Sequence, residues 1–61
     1  MFTQKERMKK AMETAEWAVQ SGKWTNETAL QFAERCQNNQ VDDETLDFFH
    51  KEAKKAKGDM S

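Results

Sequence analysis

The sequence predicts an all-α fold, a small three-helix bundle with helices over about 3–21, 26–37 and 43–57. Three observations predict it. Two junctions, Ser21–Phe32 (SGKWTNETALQF) and Asn38–Phe49 (NNQVDDETLDFF), match at a shift of 17 residues, with Glu27 over Glu44, Thr28 over Thr45 and Phe32 over Phe49. Apolar residues between the junctions recur at three- and four-residue spacing, the period of one helix face. The chain has no proline, both glycines fall at expected helix ends, and no strand-like alternation competes.

Helix 1 begins at Thr3, where Thr3 and Glu6 have capping-box spacing. Its apolar stripe is Met8, Ala11, Met12, Ala15, Ala18 and Val19. Gly22 then ends it, because glycine enters the left-handed region without a Cβ clash. Thr25 is the next N-cap, and Trp24 and Ala29 have the spacing of a hydrophobic staple across it. Helix 2 carries the stripe Ala29, Phe32, Ala33 and Cys36, with Leu30 at its edge. Asn38 and Asn39 close it less well than glycine would. Asp42 caps helix 3, Val41 and Leu46 form the second staple pair, and Leu46, Phe49, Ala53 and Ala56 make its stripe. Gly58 is the expected terminal cap, with a short flexible tail at 59–61. Shared helix-start chemistry accounts for the three identities between the junctions more simply than duplication.

Sixty-one residues form one helical domain with a thin core. The composition is 36% hydrophobic and 34% charged, and four Phe with two Trp separate it from a disordered segment. Cys36 is the single cysteine, so no disulfide forms within the chain. A lone thiol and the lack of a signal-peptide pattern lead us to expect a cytoplasmic protein. No apolar run approaches the ~20 residues of a membrane span.

The net charge of −1 is unevenly placed. Lys5, Arg7, Lys9 and Lys10 against Glu6 give the first twelve residues +3. The stretch 13–52 sums to −6 and 53–61 to +2. Helix 3 places acids at its start and lysines at its end, as the helix dipole favours. The basic start of helix 1 opposes the dipole, so Lys5, Arg7, Lys9 and Lys10 are candidate contacts for a polyanion.

Two aromatics stand on polar faces. Trp17 has Lys10, Glu13, Gln20 and Ser21 as helix neighbours, and Phe48 has Glu44, Lys51, Glu52 and Lys55. Large aromatics in polar surroundings are the informative exception, and Trp is enriched at binding hot spots. They point to a partner-binding surface of Trp17 and Phe48 rimmed by Lys10, Glu13, Lys51 and Glu52. The opposing reading folds one or both onto a neighbouring helix. Chemistry is sparse: Cys36 and His50 lack a third group to orient them, two ligands cannot complete a zinc site, and no phosphate loop is present. No cofactor, metal or small-molecule substrate is expected.

The expected function is therefore non-enzymatic: stoichiometric binding of another protein or of a second copy. An adaptor, an inhibitor or an accessory regulator fits, and small inhibitors encoded by phages or mobile elements share this size. The alternative is nucleic-acid binding through the start of helix 1. A DNA-binding helix-turn-helix shares the three-helix skeleton and a Trp17-Ala18…Gly22 pattern. It fails where Lys23, Thr28 and Gln31 replace apolar positions, and its reading helix would carry Arg35 against Glu27 and Glu34. As a membrane-surface helix, helix 1 lacks bulky anchors on its Met/Ala stripe.

Overall fold

The structure is a computed structural model that describes residues 2–59, the last by its backbone alone. Among the described residues, three helices form the expected bundle: α1 (Gln4–Gln20), α2 (Asn26–Gln37) and α3 (Asp43–Asp59). Phe2 and Arg7 meet Asp43, while Trp17 meets His50 and Lys57. Hence α1 and α3 run in the same direction, and α2 runs against both.

The junctions are alike in geometry as well as in sequence. After α1 the Lys23 N–H donates to the Ala18 carbonyl at 3.0 Å and the Gly22 N–H to Val19 at 3.0 Å. After α2 the Gln40 N–H donates to Arg35 at 2.8 Å and the Asn39 N–H to Cys36 at 3.2 Å. Both are Schellman closures, which need a left-handed residue just past the cap. Gly22 supplies it at φ 81° and Asn39 at φ 59°. The next helices start on side-chain caps. Thr25 Oγ1 accepts from the Thr28 N–H at 3.2 Å, and Asp42 Oδ1 from the Thr45 N–H at 2.8 Å. Thr3 does the same for α1, accepting from the Glu6 N–H at 3.1 Å.

Helix 3 runs longer than the sequence suggests. Gly58 keeps a helical φ instead of turning left-handed, so α3 continues to Asp59. Asp59 thus belongs to the helix, and the rest of the expected tail, 60–61, lies outside the described residues.

The core is built from small side chains around two large ones. Leu46, Phe32, Cys36 and Ala11 form its centre, with Phe2, Trp24, Val41 and Phe49 packed on it. Trp24 is more than a local staple. Its ring lies 5.0 Å from Phe32 and 6.1 Å from Phe49, and those two lie 5.5 Å apart, so one aromatic cluster joins α2 to α3.

The buried line on α1 differs from the expected stripe. It is Arg7, Ala11, Thr14 and Ala18. At ~100° per residue this turns the helix by roughly 70° from the Met8–Val19 stripe. Ala11, Thr14 and Ala18 are small, so α1 can approach both neighbours closely along this line. Thr14 satisfies its hydroxyl within the helix, donating to the Lys10 carbonyl at 2.6 Å. The turn carries Met12 outward to 64% exposure and brings Trp17 to the edge of α3.

Candidate functional site

The two aromatics expected to share a surface are separated. Trp17 is half-buried against α3, its ring 5.0 Å from the His50 imidazole, with Lys57 Nζ 4.9 Å above its centre. Glu13 is held in the same contact, its Oε1 3.4 Å from His50 Nε2. Trp17 and Glu13 therefore fasten α1 to α3. Phe48 is 59% exposed. It lies ~200° around α3 from His50 and ~180° from Lys57, so it points away from Trp17. Its ring meets Phe49 at 5.6 Å in an edge contact.

The expected rim divides in the same way. Lys10 lies over the Phe2 ring at 4.8 Å. Lys51 and Glu52 are exposed on α3, with Lys51 Nζ 3.0 Å from Asp47 one turn earlier. Phe48, Lys51 and Glu52 thus remain together on one outward face, together with Glu44 and Lys55.

The basic start of α1 is also reorganised. Arg7 is buried, with one guanidinium nitrogen donating to Asp43 and another to the Val41 carbonyl. It is not available to an external polyanion. The reason is geometric: α1 and α3 start at the same end, so Arg7 meets the acidic first turn of α3 and the loop before it. Lys5 and Lys9 remain exposed. They share that end with Asp42, Asp43 and Glu44, while the lysines of the last turns of α3 lie at the opposite end. The two basic segments of the sequence do not merge into one surface.

The start of α3 has perturbed acids. The Phe2 N–H, at 3.1 Å, and the Arg7 guanidinium hold the Asp43 carboxyl below the usual carboxylate range. The Thr45 hydroxyl and amide do the same for Asp42. Both folded values lie below the unfolded ones. Their stabilisation is fully present above the unfolded value of ~4 and is lost as pH falls through the folded values. Urea midpoints are expected to hold level from pH ~7 to ~5 and to fall below ~4. Asp43→Asn should flatten that fall and lower the neutral-pH midpoint. An acid limb as steep in Asp43→Asn as in the wild type would show that Asp43 is not linked to folding.

Cys36 is fully enclosed between Ala11, Phe32 and Leu46, and burial pushes its thiol pKa up. His50 is engaged with Trp17 and Glu13 instead. Among the described residues, no group of three His, Cys, Asp or Glu side chains is placed to hold a metal ion. Nor is any helix of the described residues long and apolar enough to cross a membrane.

A groove that sequence reasoning passed over runs between α1 and α2. Met12 and Leu30 stand on its rim, Leu30 at 71% exposure, and Ala15, Val19, Ala29 and Ala33 line it. The signal was present. Met8, Met12, Ala15 and Val19 make an apolar stripe with more bulk than a bundle this small encloses.

Compared with known proteins, the chain matches no family model, no curated protein and no solved structure.

Proposed function

We propose that this chain is a non-enzymatic protein-interaction module that acts by stoichiometric binding, as an adaptor, an inhibitor or an accessory regulator of a larger protein. One observation carries the reading. Phe48 presents a large apolar ring on a charged face, in edge contact with the ring of Phe49. A phenylalanine has only two side-chain torsions to fix on binding, so much of its buried area becomes affinity. Glu44, Lys51, Glu52 and Lys55 surround it with both signs of charge, the polar rim of a typical interface. The favoured partner surface is an apolar pocket for one aromatic ring with charges at its edge.

The test is affinity capture from native lysate with the wild type beside Phe48→Ser. Phe48 is outward-facing, so the variant should keep its circular dichroism spectrum. A partner held by the wild type is expected to lose roughly 30-fold in affinity to Phe48→Ser, the effect of a hot-spot residue. Equal capture by the two proteins would remove Phe48 as the anchor. Trp17 is left intact, because its loss would loosen the α1–α3 contact and confuse folding with binding.

A further inference from the structure

We infer that the α1/α2 groove is a self-association face, on which two copies of this chain pack with their α1 helices antiparallel about a two-fold axis near Met12. The inference is independent of the Phe48 reading, since Phe48 points away from α1 on the outer side of α3.

Charge complementarity is the first argument. The exposed ridge of α1 reads Lys5, Lys9, Met12, Glu16, Gln20. Lys9 stands three residues before Met12 and Glu16 four after it. In an antiparallel pair crossing at Met12, Lys9 of each copy faces Glu16 of the other, and Lys5 faces Gln20. A two-fold axis repeats each contact, so one ion pair in sequence becomes two in the dimer. The same ridge set parallel on itself would place like charges together, which gives the surface a direction.

The thin core is the second argument. Among the described residues, the buried apolar ones are Leu46 and Phe32, which are large, with five alanines and Cys36. Met12 and Leu30 are left outside on the groove rim. A chain of this length encloses little apolar surface by itself, and a second copy is a general remedy.

Sedimentation equilibrium over a concentration series at low salt tests the inference. The wild type is expected to dimerise in the micromolar range, and Met12→Lys to remain a monomer. Lys9→Glu alone and Glu16→Lys alone should each weaken association roughly tenfold, because each sets like charges face to face. The double variant Lys9→Glu/Glu16→Lys should return to within about threefold of the wild type. All three positions are exposed, so unchanged helicity by circular dichroism is expected in every variant. A wild type that stays monomeric up to ~1 mM overturns the inference. So does a dimer indifferent to Met12→Lys, a double variant no better than the single ones, or a different protein seated on this face while the chain remains a monomer.

Discussion

Leu46→Ala is expected to leave the chain largely unfolded without denaturant. Leu46 is fully buried among Ala11, Phe32 and Cys36. Its removal takes away transfer free energy and leaves a cavity. Alanine and cysteine neighbours have few alternative rotamers with which to fill it, so the loss should be ~3–5 kcal/mol, in the upper part of the range for such changes. A single core in a domain this small rarely supplies more than roughly 3–5 kcal/mol in total. Far-UV circular dichroism against urea, in dilute solution, reads the result directly. Leu30→Ala, on the rim of the α1/α2 groove, serves as control and should shift stability by no more than ~0.5 kcal/mol. Equal losses from the two variants would mean that the core does not centre on Leu46.

The second large effect is expected at Arg7. Arg7→Ala removes a buried side chain that ties three parts of the chain together: α1, the carbonyl of Val41 and the first turn of α3. Hydrogen bonds to charged groups contribute more than neutral ones, and the Val41 carbonyl would be left without this donor. A loss of ~2–3 kcal/mol follows. Arg7→Lys should recover only part of it. A guanidinium presents separate nitrogens to the carboxylate and to the carbonyl, whereas an ammonium is one point of charge. Lys9→Ala, two residues on and exposed, should change stability by less than ~0.5 kcal/mol. The order Arg7→Ala, Arg7→Lys, Lys9→Ala in urea midpoint is the measurement. An Arg7→Ala variant as stable as Lys9→Ala would return Arg7 to the surface and reopen its role toward polyanions.

The helices and their junctions were legible in the sequence because their determinants are local. Gly22, Thr25, Asn39 and Asp42 act within a few residues of themselves, and each does in the fold what its residue type suggests. Helix 2 closes where Gln37 gives way to the two asparagines. Gly58 is the exception, since glycine permits a left-handed turn without requiring one. The orientation of α1 was harder to read. A stripe search favours large apolar residues and so settles on Met8, Met12 and Val19. A helix pressed between two others instead needs small residues along its middle. Ala11, Thr14 and Ala18 provide them, and Arg7 extends the same line because its partners come from 34 and 36 residues away. Nothing near Arg7 in sequence announces those partners. The same turn moved Trp17 from a surface to a seam and Met12 from a core to a rim. The candidate surface was therefore legible in part: Phe48, Lys51 and Glu52 stayed together, while Trp17, Glu13 and Lys10 found partners inside the fold.

The parallel alignment of α1 and α3 bears on the order in which the chain folds. The contacts that seat the start of α1 reach from Phe2 and Arg7 to Val41 and Asp43, more than half the chain length away. A chain in which only α1 and α2 have paired leaves Arg7 with neither of its acceptors in place. Its burial must wait until the loop at Val41 and the first turn of α3 come up against α1, so the docking of α3 follows the pairing of α1 with α2. Docking of α3 is thus a late event that seats the start of α1, and until then the faces that α3 will cover stay open to solvent.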